Sequence, residues 1–166
     1  MDKRKIEKRA ESILNAYNFN NGSANYVDMV RLARFFGFSI TKTDKMKASE
    51  DGYISVSAEG EKRIAVNDSR NLEAKRFIIA QELSYYFLFY NDDDKHFTHH
   101  KHITKTSTNE NDADYMASCL LMPKKNFKKT YDNLKEKYNE EKIITELQKI
   151  YHTPISSIKN RIKELS

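Results

Sequence analysis

The stretch Arg76-Phe77-Ile78-Ile79-Ala80-Gln81-Glu82-Leu83-Ser84-Tyr85-Tyr86 sets one acid, Glu82, in a run otherwise almost free of charge. Its spacing is that of a His-Glu-x-x-His helix in which both histidines are replaced. In that pattern two imidazoles at i and i+4 share a helix face and bind one Zn²⁺. The Glu beside the first acts as general base on the metal-bound water. Here Glu82 holds the base position, and Gln81 and Tyr85 hold the imidazole positions. The flanking residues are apolar nearly all round, so a long helix over about residues 71–90 is expected at the centre of the fold.

The chain of 166 residues has room for one domain with a substantial core. Charged residues make up 32% and mean hydropathy is −0.80. No run of about 18 apolar residues suggests a membrane span. Met1-Asp2-Lys3-Arg4-Lys5 lacks the apolar core of a signal peptide, so a cytoplasmic location is expected. The single cysteine, Cys119, lies in an apolar run and reads as a buried thiol. The net charge of +5 permits nucleic acid or an acidic protein as partner without selecting either. The basic residues concentrate at the two ends. Residues 1–10 carry five Lys/Arg against two acids, and residues 123–166 carry eleven against six.

Working outward from the central helix, Ile6, Ala10, Ile13, Leu14 and Tyr17 recur at helical spacing. An Asn-rich loop from Asn18 to Asn25 follows. Tyr26, Met29, Val30, Ala33 and Phe36 mark a second helix that Gly37 is placed to end in a left-handed cap. Phe38 and Ile40 alternate with polar residues. Asp51-Gly52 and Glu59-Gly60-Glu61 then flank two further strand-like runs, Tyr53 to Ser57 and Arg63 to Asn67. Three short strands joined by turns predict a small antiparallel meander packed on the central helix. The polar segment 91–108 shows no periodicity and reads as a mobile loop. A helix resumes over residues 110–122, Pro123 interrupts it, and short helices complete the chain.

This order of features resembles the ImmA/IrrE-type metallopeptidases over roughly residues 10–125. Four pieces carry the resemblance. The first is Tyr26-Val27-Asp28-Met29-Val30-Arg31-Leu32-Ala33 followed by Gly37. The second is the hairpin of Asp51-Gly52-Tyr53-Ile54 and Ile64-Ala65-Val66-Asn67. The third is Arg76 to Leu83, similar to an Arg-Phe-Thr-Ile-Ala-His-Glu-Leu helix. The fourth is Glu110 to Pro123, ending in Leu120-Leu121-Met122-Pro123. The resemblance implies a zincin-like α+β domain over residues 1–125, with a helical extension over 126–166 packed on it. It also implies a third zinc ligand, the Glu of a Glu-Ala pair, which Asp112 matches here. All three ligand positions, Gln81, Tyr85 and Asp112, thus depart from the family pattern. An amide oxygen, a phenol ionising near pH ~10 and a shortened carboxylate make a poor zinc set. No metal is expected, and Glu82 is expected to be vestigial, since without the metal it has no acidified water to deprotonate.

The resemblance further implies a partner. Family members are commonly encoded beside Xre-type repressors on phages and mobile elements, and the active ones relieve repression by cleaving the repressor. The expectation is an inactive, zincin-like protein that binds such a repressor or another host protein. The alternatives are an active zinc metalloendopeptidase with unusual ligands and a DNA-binding regulator. His96, His99, His100 and His102 lie between the two motifs and could fold back toward Glu82 and Asp112 to supply imidazoles. Neighbouring histidines on a polar loop are more often solvated. The DNA reading rests on residues 143–162, which resemble a helix-turn-helix with Lys159, Asn160 and Arg161 facing outward. The plainer account is a helix pair packed on the domain.

Overall fold

The computed structural model describes residues 1–19, 26–102 and 107–166. Most of the Asn-rich loop, residues 20–25, therefore lies outside the described residues. Helix α1 (Lys3–Ala16) and helix α2 (Met29–Phe35) precede strands β1 (Phe38–Thr43), β2 (Glu50–Val56) and β3 (Lys62–Asn67). The long helix α3 (Leu72–Phe89) leads to strand β4 (Phe97–His102). Helices α4 (Thr108–Leu121), α5 (Lys124–Lys135), α6 (Glu140–Tyr151) and α7 (Ile155–Leu165) complete the order. Local chemistry sets most helix starts. The side chains of Asp2, Asp28, Asn71, Ser107 and Asn139 each accept from a backbone N–H in the first turn of the helix that follows. Gly37, at φ 88°, ends α2 in the left-handed region as the sequence predicts.

The α+β class holds, with a sheet that differs from the predicted meander in two respects. It has four strands, in the order β1-β3-β2-β4. And β1 pairs in parallel with β3, Ile40 opposite Ile64, while only β2 runs antiparallel to β3. A strand has two hydrogen-bonding edges, and the β2 edge that a meander would give to β1 is taken by β4. The segment read as a mobile loop thus forms an edge strand over residues 97–102. Its alternation is present, with Phe97, His99 and Lys101 more buried than Thr98 and His100. Hydropathy misses it because two of the three inward residues are polar.

Helix α3 lies across the sheet and against α4, and residues 78–84 are all buried. One cluster of buried side chains runs from Ile6 and Leu14 on α1, through Leu83 and Leu120, to Leu147 and Ile158 near the C-terminus. Two buried arginines tie the C-terminal helices to it. Arg76 of α3 donates to the carbonyls of His152 and Val27, at 3.0 Å each, with its guanidinium 4.2 Å from the Tyr26 ring centre. Arg161 of α7 reaches α1 and the end of α4. Cys119 is buried as predicted.

The sheet and α3 approach closely at Gly52. A Cβ there would stand 2.7 Å from the Ala65 carbonyl oxygen and 2.7 Å from Ile78 Cγ2. Neither atom is the free end of a flexible chain, so Gly52→Ala is expected to cost about 1–3 kcal/mol, the range for overpacking. A lowered urea midpoint with an unchanged m-value checks this.

Candidate functional site

Helical phase brings Gln81, Glu82 and Tyr85 to the side of α3 that meets β4 and α4. Glu82 is fully buried. Its Oε2 shares a 2.8 Å hydrogen bond with Nδ1 of His99, projected inward from β4. Nε2 of the same ring lies 3.8 Å from Oε1 of Glu110 on α4. The ring itself stacks on Tyr85, with centroids 3.6 Å apart and planes 16° from parallel. One imidazole therefore sits between two carboxylates with a phenol ring against its face. Beside it, the Gln81 amide donates to Asp114 of α4, and the Lys101 ammonium stands 3.6 Å from the same carboxylate. Burial pushes the Glu82 carboxyl above its ordinary range, and His99 and then Lys101 oppose that push.

Asp112 does not join this cluster. Its Oδ2 accepts a 2.8 Å bond from the Met1 amino group, which places it on another side of α4. The acids of α4 that face α3 and β4 are Glu110 and Asp114. Helical spacing carried this signal: Glu110 precedes Ala113, Ala117 and Leu120 on the buried stripe, and Asp112 is out of phase with them. The position to compare with a third ligand is therefore Glu110, which has kept its full-length carboxylate. Of the four histidines between the motifs, His99 folds back to Glu82. His96 is exposed, and His100 lies against Tyr53 on the outer face, with centroids 5.4 Å apart. The His102 side chain lies outside the described residues.

The donors present do not suit a zinc ion of the His-Glu-x-x-His kind. Gln81 commits its amide nitrogen to Asp114, and Tyr85 commits its ring face to His99. The two nitrogens of His99 face Glu82, in the base position, and Glu110, the carboxylate in the third-ligand position. Among the described residues no group of three or more His, Cys, Asp or Glu is arranged to hold a metal ion. Zinc favours nitrogen and sulfur donors with few oxygens, and this set offers mainly oxygen.

The second predicted surface fares differently at its three residues. Lys159 and Asn160 are exposed on α7, but Arg161 is wholly buried and unable to contact DNA. Its Nε donates to the Met122 carbonyl at 3.1 Å, and its Nη1 and Nη2 donate to Glu7 at 3.0 and 2.6 Å. Arg161 shares the inward face of α7 with Ile158, which explains the outcome. The turn before α7 has His152 in the left-handed conformation, φ 47°, where a glycine is common.

A mixed sheet under a long buried helix, with an acid in the base position of that helix, defines a zincin-like domain. Comparison with protein families agrees: the model of the peptidase M78 family, the IrrE N-terminal-like domain, matches residues 33–163. The chain belongs to this family, the ImmA/IrrE group. The match runs through α6 and most of α7, well past residue 125, and starts within α2. No curated protein matches the chain. Among the described residues no helix is long and apolar enough to cross a membrane.

Proposed function

We propose that this chain is a non-hydrolytic member of its family that acts by binding a protein partner, in the first instance an Xre-type repressor of a phage or mobile element. One observation supports the loss of hydrolysis above the others. The carboxylate in the general-base position is hydrogen-bonded to His99, whose ring lies between Glu82 and Glu110. A general base must reach a water beside the scissile carbonyl, and Glu82 is fully buried with one oxygen engaged by His99. With catalysis set aside, a retained fold leaves binding as the function to test, and the repressor partner follows from the habits of the family.

The test uses Glu82→Gln. Parent and variant are mixed with a purified Xre-type repressor, and complex formation and fragment release are followed together. The expected result is a stable complex, no fragments, and affinities within about twofold of each other, since Glu82 touches no surface. Cleavage by the parent that disappears in the variant would sink the proposal.

The same substitution carries a stability prediction. The folded-state pKa of Glu82 is raised, so the folded protein favours the neutral acid. Stability is then fully present below the ordinary carboxylate range and falls as pH rises from that range to the raised value. The side-chain amide introduced by Glu82→Gln mimics the neutral acid at every pH. The variant is therefore expected to be more stable at pH 7 by roughly 0.5–2 kcal/mol, as for other relieved buried groups. The gain should shrink toward zero on acidification, which paired thermal melts will read.

A further inference from the structure

The two basic ends of the chain meet in the fold. Lys124, Lys125, Lys128 and Lys129, on the first turns of α5, line an open groove that Glu11 of α1 also lines. Arg4 and Lys8 precede Glu11 by seven and three residues, so they share its side of α1, and both are exposed. Six cations therefore border this groove, against two acids, Glu11 and Asp132. Asp132 already serves two lysines, Lys128 at 3.4 Å and Lys135 at 3.2 Å. Among the described residues, Arg4, Lys8, Lys124, Lys125 and Lys129 form no ion pair.

This placement works against the helix that carries it. Lys124 with Lys128, and Lys125 with Lys129, are like charges at i, i+4, which destabilise a helix. Lys124 and Lys125 also stand at the positive end of the α5 dipole, where acids are favoured and cations opposed. The first turn of α5 holds no acid, and no side chain caps it. The neighbouring helix α6 obeys the rules that α5 breaks. It starts with an Asn139 cap and two acids, Glu140 and Glu141. Its Lys142 and Lys149 both pair with Glu146, at 3.0 Å each. An ordinary solvated face has no reason to depart from that pattern, and local rules are broken mainly at functional sites. An anion lodged among the α5 lysines removes both penalties.

The chemistry of the face selects among polyanions. A membrane-surface helix inserts apolar side chains beside its cations. On α5 these turn inward: Phe127 is buried, and Tyr131 and Leu134 pack against the core. An acidic protein is held through aromatic or arginine anchors, and lysine is depleted from such interfaces. Single-stranded nucleic acid needs open rings for its bases, and the Lys135 ammonium covers the Tyr131 ring, 4.7 Å from its centre. Duplex RNA is recognised through its 2′-hydroxyls, and the groove lining holds no amide or hydroxyl side chain. Rows of flexible point charges are an ordinary contact to the phosphates of a DNA duplex. We propose that the α1–α5 face binds duplex DNA through its phosphates, without reading its bases. The face is distinct from the exposed Lys159 and Asn160 of α7, and it stands whether or not a repressor is bound.

The experiment is fluorescence anisotropy of two labelled DNA duplexes of unrelated sequence, titrated with the full chain between about 50 and 200 mM salt. The expected Kd is on the order of 10 µM at the lower salt and equal for the two duplexes within about twofold. The slope of log K against log salt should be roughly −4, as for four or five phosphate contacts. Lys124→Glu combined with Lys125→Glu should weaken binding about tenfold or more and flatten the slope by roughly 2. That pair keeps the fold, since Glu is favoured at a helix start and meets Lys128 and Lys129 at i, i+4. Lys8→Ala, on α1, is a second check and should flatten the slope by about 1. Lys159→Glu on α7 should bind within about twofold of the parent. No saturable binding, a strong preference for one duplex, an unweakened Lys124/Lys125 variant or an equal loss in Lys159→Glu each overturns the proposal. So does tighter binding of duplex RNA, single-stranded DNA, phosphatidylserine vesicles or polyglutamate.

Discussion

Arg161→Ala is expected to lower folding stability by about 3–5 kcal/mol, the usual cost of removing one partner from a buried ion pair. For a domain of this size that corresponds to a melting temperature lower by roughly 6–20 °C. The Arg161 guanidinium is wholly buried, and Glu7, its bidentate partner, has a side chain only 12% exposed. Alanine would leave Glu7 without its counter-charge, the Met122 carbonyl without its donor, and Glu164 without the guanidinium 3.6 Å away. Tyr115, which donates to Glu7 at 2.9 Å, cannot replace a cation. Arg161→Lys should recover only part of the loss, because an ammonium cannot make the fork. The pH dependence has a defined sign. Burial pushes the Glu7 carboxyl up, but the Arg161 pair and the Tyr115 hydroxyl outweigh it and hold Glu7 below its ordinary value. Its contribution is then present above the ordinary carboxylate range and lost as pH falls through the depressed value. Melts from pH 7 to pH 3 should show this acid loss in the parent and little of it at Glu7 in Arg161→Ala.

The triple variant Gln81→His, Tyr85→His, His99→Ala is expected to bind one zinc per chain with Kd below about 1 µM, roughly −8 kcal/mol, where the parent takes up none stoichiometrically. Two imidazoles would then stand at i and i+4 of α3, and Glu110 already offers a carboxylate from α4. Removing His99 matters as much as restoring the helix histidines, since its ring lies between Glu82 and Glu110. Gln81→His with Tyr85→His alone should bind more weakly, because the metal must displace that ring. Metal content of tag-free protein, read against circular dichroism to establish folding, decides the matter. A folded triple variant without zinc would mean that the pocket has been reshaped beyond its ligands.

The central helix and its altered motif are legible in the sequence because they depend on local order: the apolar run, the i, i+4 spacing and the acid between. The helix caps are legible for the same reason. Strand β4 is not, because His99 and Lys101 face inward toward acids that lie 17 and 13 residues away in sequence. Polar residues buried against distant partners have no hydropathic signature. Glu110 is available from helical phase, whereas the family motif points to Asp112, which stands beside Ala113 in sequence without sharing its face. Arg161 misleads in the opposite sense. A basic residue on a terminal helix is usually solvated, and only the position of Glu7 on α1, 154 residues away, turns it inward.

The imidazole between Glu82 and Glu110 also bears on the supply of the folded protein in a cell. A domain held together by a dissociable ion is stabilised according to the concentration of that ion, and a chelator can unfold it. Here the group that meets the two carboxylates arrives on the chain's own backbone, so its local concentration is set by the length of the segment between α3 and β4. The abundance of the folded state should accordingly be indifferent to zinc starvation.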